Sequence, residues 1–245
     1  MRLIFSVIYS IIIFLLDSSV AKSINQRIDC YPESESSYSN YSKESCLARH
    51  CLYDDRAISP QIQCYLSPNY GYVFQEILQS TNNTFKYRLK RNDAIESPFP
   101  EPIENVIFEV QYYTNEIIRV KFYDADQQRY EVPIPLNPRS DRIESAQYQF
   151  NYTLDRSRDG IFSFSIRRRV DQSILFDTSL GGLVLNNQFL QIVTRLQSTY
   201  VYGFGENNHD TLKHQVHQRP SWGIFARDQG NISQQMKISS LIHCH

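Results

Sequence analysis

The chain has 245 residues, of which 41% are hydrophobic and 13% aromatic, a length that suits one medium domain plus a small one. Its 25 basic and 26 acidic residues give a formal net charge of -1. A chain this close to neutrality is not expected to bind nucleic acid or an anionic lipid surface.

The N-terminus has the organisation of a secretory signal peptide. Arg2 supplies a positive charge, and an apolar run follows over residues 3–16. This run is shorter than the roughly 20 residues that span a bilayer, and Ser19-Val20-Ala21 offers the small residues that precede a cleavage site. We predict a signal peptide over residues 1–21. The alternative is an uncleaved signal anchor, in which case the chain would be attached to a membrane.

The sequence also carries acceptor sites for N-glycosylation. An N-x-S/T sequon is a surface-loop signal in a chain that enters the secretory pathway. The predicted glycosylation sites are Asn40, Asn82, Asn151 and Asn231.

Residues 22–71 form a block that is rich in Ser and Tyr and lacks a long apolar period. Its cysteines are Cys30, Cys46, Cys51 and Cys64. A segment of this kind buries little core of its own, so we expect disulfides to hold it. Four cysteines allow three pairings, and spacing alone does not choose among them. A zinc site is the alternative, but no C-x-x-C spacing occurs.

From about Tyr72 the hydrophobic period changes to two. Phe108, Val110 and Tyr112 alternate with polar residues, and residues 118–122, 150–154 and 161–166 behave in the same way. Short polar joints such as Asn186-Asn187 separate these runs. The pattern predicts an all-β domain, an antiparallel β-sandwich over residues 72–228.

The end of this region and the residues beyond it are less regular. His209, His214 and His217 could bind a metal, but their spacing fits neither a helical pair nor a zinc signature. We predict no metal and no cofactor. Residues 229–245 show no strand pattern, and we predict a divergent, disordered tail in which Cys244 is unpaired.

The cysteine block resembles a trefoil (P-type) domain. The resemblance rests on Arg27-Ile28-Asp29-Cys30-Tyr31-Pro32-Glu33, on Cys46-Leu47-Ala48-Arg49-His50-Cys51, and on Cys64-Tyr65. The usual trefoil has six cysteines, paired first to fifth, second to fourth and third to sixth. Here the first is absent and Leu52 occupies the position of the fifth, and these two are partners in that scheme. The resemblance therefore implies the bridges Cys30–Cys51 and Cys46–Cys64.

The strands that follow resemble the N-terminal sandwich of glycoside hydrolase family 31, the family of intestinal maltases and lysosomal α-glucosidase. The matching segments include residues 115–124, 129–133, 162–167, 175–178 and Tyr202-Gly203-Phe204-Gly205-Glu206. The resemblance implies a galactose mutarotase-like sandwich, and a chain that stops before the catalytic (β/α)8 barrel. It also implies an α-glucoside as the partner of the full-length enzyme.

A weak substrate-binding site is implied at His214 and Gln215. The family usually shows arginine-histidine-aspartate here, on a loop that reaches the barrel mouth, whereas this chain has Lys213-His214-Gln215. The amide of Gln215 can still bond a sugar hydroxyl, but it lacks the charge that makes such a bond roughly twice as strong. Trp222 and Phe225 match an aromatic segment of the family and are expected to pack in the core.

No catalytic residues are predicted. Retaining glycosidases need two carboxyl groups about 5 to 5.5 Å apart, and in this family both are supplied by the barrel. The local pairs Asp54-Asp55 and Asp124 with Asp126 are expected to have structural roles, as turn residues often do.

Three functions fit these observations. The first is an N-terminal, non-catalytic fragment of a secreted, cell-surface or lysosomal α-glucosidase, produced by an incomplete gene prediction, a retained intron or a splice form. The second is a stand-alone secreted trefoil and sandwich module that binds sugar or serves as an interaction module. The third is a packing partner for another chain.

Overall fold

The computed structural model of the protein describes residues 26–32, 42–58, 61–131, 133, 146–154, 160–187, 189–203 and 211–214. The predicted signal peptide, the predicted tail and the sequons at Asn40 and Asn231 lie outside these residues. Among the residues that are described, no helix is both long enough and apolar enough to cross a membrane.

In the described part of the cysteine block there is one α-helix, α1 (Lys43–Ala48), which no hydrophobic period predicted. Its N-terminus is stabilised by an N-cap, since Ser42 Oγ accepts a hydrogen bond from the backbone N–H of Ser45 at 3.2 Å. An antiparallel pair follows, β1 (Leu52–Tyr53) with β2 (Cys64–Tyr65). These elements are short and do not form a stable unit by themselves.

Two disulfides and one buried cation join the pieces of the block. Cys30 is bonded to Cys51 and Cys46 to Cys64, the pairing that the trefoil resemblance implies. The guanidinium of Arg27 is buried, forms an ion pair with Asp54 and donates a hydrogen bond to Ile62 O at 3.0 Å. The block is therefore held by crosslinks and specific polar contacts more than by regular secondary structure.

The first sheet of the sandwich is four-stranded and antiparallel, with the strands in chain order. Its strands are β3 (Tyr72–Ser80), β4 (Thr84–Arg91), β5 (Asn105–Tyr112) and β6 (Ile118–Asp124).

The second sheet is three-stranded, also antiparallel and also in chain order. Its strands are β7 (Tyr148–Leu154), β8 (Phe162–Arg168) and β9 (Ile174–Asp177). A short hairpin, β10 (Val184–Leu185) with β11 (Leu190–Gln191), follows this sheet and turns at the predicted joint Asn186-Asn187.

The core between the two sheets is aromatic. Phe108 of β5 is fully buried, and its ring centroid lies 5.0 Å from that of Phe162 and 4.9 Å from that of Phe164 on β8. The ring centroid of Phe150 on β7 lies 5.7 Å from that of Phe108 and completes the cluster. The period of two in the sequence places these rings on the facing sides of the two sheets, which is how a sandwich buries its core.

The other face of β5 is less exposed than the alternation suggests. Glu109 alternates with core residues, yet only 7% of it is exposed. Its Oε2 lies 3.3 Å from Lys86 Nζ and accepts a hydrogen bond from the Tyr123 hydroxyl at 3.2 Å. The long side chains of the neighbouring strands thus cover the middle strand on its polar face.

The predicted fold class is confirmed. The described chain is a disulfide-stapled block followed by antiparallel sheets, and no part of it closes into a barrel. Strand β3 begins at Tyr72, the predicted start of the sandwich. The division of the chain into domains at that residue nevertheless stays a prediction, because the block and the β10–β11 hairpin contribute to one buried cluster.

Candidate functional site

The candidate substrate-binding residues lie at the end of the described chain, on two short extended segments. Tyr202 pairs with Lys213 in an antiparallel bridge, and the backbone N–H of His214 donates to Val201 O at 2.9 Å. Gln215, the second residue of the predicted pair, lies outside the described residues. The same holds for Glu206, His209, His217, Trp222 and Phe225.

The ring of His214 points into the protein. The residue is 2% exposed, and its Nε2 lies 2.7 Å from the carbonyl oxygen of Gly203. A carbonyl only accepts hydrogen bonds, so Nε2 carries the hydrogen and donates it. Gly203 has a φ of 89°, a conformation that glycine adopts readily. In this arrangement His214 fixes the Gly203 turn, and any sugar contact would be made by groups around it.

Two exposed tyrosines lie on the segment that pairs with Lys213 and His214. Tyr200 is 68% and Tyr202 is 58% exposed, while Val201 between them is buried, as expected for an extended segment with one inward face. Lys213 Nζ lies 4.0 Å from the centroid of the Tyr200 ring. An aromatic face, a phenol and an ammonium can together contact a hydroxylated ligand. Sequence reasoning missed both tyrosines as possible ligand contacts, because Tyr200-Val201-Tyr202 has no apolar–polar alternation that shows which side chains face outward.

A cleft of about 380 Å³ lies elsewhere, between the loop before β5 and the end of β6 with the turn that follows it. It is polar and rich in carboxylates: its lining includes Glu101, Glu104, Asp124, Asp126, Arg129 and Asn187. These carboxylates already have partners. Glu101 Oε2 accepts from Asn187 Nδ2 at 2.6 Å, and Glu104 Oε1 lies 2.9 Å from Arg91 Nε. The cleft therefore presents carboxylates that hold loops in place.

The acidic pairs picked out in the sequence have structural partners of the same kind. Asp54 is bound to Arg27, and Asp55 lies 2.7 Å from Lys43 Nζ. Asp124 Oδ1 accepts from the backbone N–H of Asp126 at 2.9 Å, which shapes the turn after β6. The Arg27 guanidinium is the main cause that lowers the pKa of Asp54. A carboxyl group held ionised in this way is a poor proton donor to a leaving oxygen.

The trefoil cysteines form the one group of three potential metal ligands among the described residues. The sulfur atoms of Cys30, Cys51 and Cys64 lie within 4.8 Å of one another. All three belong to disulfides, so none of them offers the thiolate that a metal would need.

Two of the predicted glycosylation sites are described. Asn82 is exposed in the turn between β3 and β4, whereas Asn151 is partly buried on β7 and its Oδ1 accepts from Gln149 Nε2 at 3.1 Å. Asn82 is therefore the more open of the two acceptors.

Comparison with known proteins gives matches in both parts of the chain. The trefoil (P-type) domain family matches residues 21–67. Intestinal sucrase-isomaltase of Oryctolagus cuniculus is 32% identical over 208 residues, which cover 84% of this chain and 11% of the relative. Probable maltase-glucoamylase 2 of Homo sapiens is 32% identical over 83% of this chain and 8% of its own length. Lysosomal alpha-glucosidase of Mus musculus is 30% identical over 75% of this chain and 19% of its own length.

The chain belongs to glycoside hydrolase family 31. It corresponds to the N-terminal region of that family, and it spans between 8% and 19% of the length of the relatives named above. The family relationship explains the order of the parts, with a trefoil first and antiparallel sheets after it.

This family 31 chain departs from the usual trefoil at Leu52. Leu52 lies in β1, pairs with Tyr65 and is 41% exposed. A cysteine at this position would lie near the surface of the block, so a leucine replaces it without leaving a buried cavity. The two bridges that remain are both buried.

Proposed function

We propose that this chain serves as the N-terminal, non-catalytic part of an α-glucosidase of the secretory pathway. The observation that carries the proposal is the extent of the similarity. Intestinal and lysosomal glycosidases match 75% to 84% of the chain, while the chain covers only a small part of each of them. The trefoil match at the front of the chain supports the same assignment.

In this proposal the segment around His214 contributes to binding of an α-glucoside. His214 orients the Gly203 turn, and Gln215 offers an amide where the family usually has a carboxylate. Tyr202 supplies an exposed aromatic side chain beside His214, and the Lys213 ammonium lies next to the Tyr200 ring. Such contacts position a ligand, but without reacting groups they give no acceleration of the chemical step.

Secretion or lysosomal delivery is part of the proposal. It is supported by the signal-like N-terminus, by the sequons and by two buried disulfides, which form and persist in an oxidising compartment. The relatives named above include an intestinal sucrase-isomaltase and a lysosomal alpha-glucosidase.

The test is an activity and binding assay on residues 22–245, expressed in a secretory host. We expect no hydrolysis of maltose, isomaltose or an aryl α-glucoside above background, because a (β/α)8 barrel alone takes about 250 residues. In an NMR titration with maltose we expect weak, non-saturating shifts confined to residues 200–203 and 211–214. An active α-glucosidase serves as the positive control for the assay.

Two outcomes would contradict the proposal. Turnover that co-purifies with the chain and is lost on Asp124→Asn or Glu101→Gln would make it an enzyme in its own right. Saturable, submillimolar binding of maltose would instead favour the stand-alone sugar-binding module.

A further inference from the structure

The trefoil block does not close its own core. Its buried residues Ile28, Cys30 and Leu66 pack in one cluster with Leu180, Val184 and Val193, which lie around the β10–β11 hairpin. Each of these six residues is at most 3% exposed. The apolar surface of the block is therefore buried by a segment that lies more than a hundred residues later in the chain.

The two parts approach each other tightly at Gly182. A Cβ atom at this position would lie 2.4 Å from Ile28 Cδ1, and 3.4 Å from both Ile28 Cγ2 and Val193 Cγ2. Real Cβ contacts do not occur at 2.4 Å, so Ile28 occupies the space that a side chain at position 182 would need. The seating of residues 180–193 thus depends on where the block holds Ile28.

Aromatic and polar contacts continue the same interface. The Phe99 and Phe189 rings stack with centroids 3.8 Å apart, and the Arg49 guanidinium lies 5.2 Å from the Phe99 centroid. Asn186 Nδ2 donates to Phe99 O at 2.8 Å, which fixes the proline-rich loop (residues 98–102) against the hairpin. The block, this loop and the hairpin meet in one place.

The disulfides reinforce the block's side of this interface. Between residues 26 and 70 the described chain has one six-residue helix, a two-residue strand pair and a bridge beside it, in which Ile28 O accepts a hydrogen bond from the backbone N–H of Leu66 at 2.9 Å. Elements this small need crosslinks to keep Ile28 in place. Cys30, two residues from Ile28, is bonded to Cys51, and Cys46 is bonded to Cys64 within the same buried cluster.

We propose that oxidation of the trefoil cysteines seats the β10–β11 hairpin, so that the redox state of the block sets the order of residues 180–193. Each bridge forms when two thiols lose two protons and two electrons to a disulfide acceptor, such as glutathione disulfide or an oxidoreductase, which becomes two thiols. Reduction reverses the transfer and frees Ile28. The proposal goes beyond the proposed glycosidase role and does not depend on it.

Hydrogen exchange of the whole secreted chain, followed by mass spectrometry, tests the proposal. In a phosphine reductant, peptides that cover residues 180–193 should exchange at least about tenfold faster than in the oxidised chain. Peptides that cover β4 and β5 should keep their protection, because those strands are paired on both sides and packed on Phe108 and Phe164. The double variant Cys46→Ser/Cys64→Ser should show the same local change without reductant. Cys244→Ser is the matched control, since it removes a cysteine outside the block.

The variant Gly182→Ala distinguishes the packing of residues 180–193 from the formation of the disulfides. We expect this variant to keep all four trefoil cysteines oxidised, as judged by alkylation mass, and still to exchange residues 180–193 faster. The proposal is overturned if reduction or Gly182→Ala leaves these residues protected. It is equally overturned if reduction exposes β4 and β5 to the same degree, because the bridges would then hold the whole fold and not the hairpin.

Discussion

Several tyrosine hydroxyls of the sandwich are buried, and this gives individual residues a measurable effect on stability. Tyr72 is 1% exposed, and its hydroxyl lies 2.7 Å from Ile103 O, a bond that ties β3 to the loop before β5. Burial raises the pKa of Tyr72, and it raises the pKa of Tyr87 and of Tyr123 to about 12. Removal from water disfavours the phenolate, so these side chains stay neutral over a wider pH range than exposed tyrosines.

Tyr87 should make the fold sensitive to alkali. Its pKa is raised mainly by burial, to about 12, while an unfolded tyrosine ionises near pH 10. Between these values the unfolded chain loses a proton that the folded chain keeps, so stability present below pH 10 is lost as the pH rises toward 12. At pH 11, midway between the two pKa values, we expect Tyr87→Phe to remove about 1 kcal/mol of that loss.

Urea unfolding at pH 7, 10 and 11 measures this effect. Tyr130→Phe is the control, because Tyr130 is 85% exposed and should leave the pH dependence unchanged. An identical pH profile for wild type and Tyr87→Phe would contradict the assignment.

Gly182 should be intolerant of any side chain. Its φ of 75° disfavours an L residue, and the contact with Ile28 adds a steric cost. Gly160 is a matched control with a φ of 78° and no atom within 4 Å of the position of a Cβ. We expect Gly160→Ala to cost about 1 kcal/mol, and Gly182→Ala about 1 to 3 kcal/mol more, in thermal or urea unfolding. Equal costs would mean that Ile28 moves aside freely.

At the scale of elements, the turn between β10 and β11 shows how two adjacent residues of one type differ in role. Asn186 is 5% exposed, and its Nδ2 donates to Phe99 O and Pro100 O, each at 2.8 Å. Asn187 is exposed and bonds Glu101 at the rim of the acidic cleft. The buried side chain of Asn186 holds the proline-rich loop, whereas the side chain of Asn187 makes a contact at the surface.

Replacing these two asparagines should therefore give different results. Asn186→Ala removes a buried amide and leaves the Phe99 and Pro100 carbonyls without this donor, so we expect a loss of about 1 to 3 kcal/mol of unfolding free energy. Asn187→Ala removes only a surface contact and should stay within about 0.5 kcal/mol of wild type. Chemical denaturation of the two variants side by side measures the difference. A similar loss in both would show that the proline-rich loop is not held by Asn186.

The elements differ in how far the sequence predicts them. Strands β5, β6 and β8 follow from strict alternation, because each has one face on the aromatic core. β3 was not recognisable as a separate strand. Register shifts between Phe74 and Glu76 and between Ile77 and Gln79 break its period, and Ile77 and Leu78 are both exposed. Helix α1 has six residues and is stabilised by its N-cap, so no hydrophobic period announces it. Strands β10 and β11 have two residues each, which is too short to show a hydrophobic period.

The candidate site shows the same limit. The pattern Lys213-His214-Gln215 located the segment, but it did not reveal that the His214 ring is buried against Gly203. That contact joins two residues that lie 11 positions apart, and the side-chain pattern does not encode which backbone groups a side chain will meet. Similarly, nothing local to Ile28 indicates that its space is shared with Gly182.

At the scale of the whole molecule, passage through the secretory pathway should leave a glycan at the β3–β4 turn. Asn82 is exposed and Thr84 completes its sequon, so we expect a glycosidase-sensitive mass shift in chain secreted from eukaryotic cells. Asn82→Gln should remove that glycan from the mapped peptide. Asn83→Gln is the matched control, because it alters the neighbouring amide and keeps the sequon. An unmodified Asn82 in secreted wild-type chain would contradict the prediction.

The contact between Ile28 and Gly182 also determines when the trefoil core can be completed during translation. Residues that complete the trefoil core leave the ribosome about 150 residues after Ile28 does, which at 5 to 20 residues per second is a delay on the order of 10 to 30 seconds. During that interval the front of the chain has its cysteines but not the apolar partners that will cover them. A nascent chain in this state is a substrate for chaperones and for disulfide exchange, and slower translation between the two segments would lengthen its exposure.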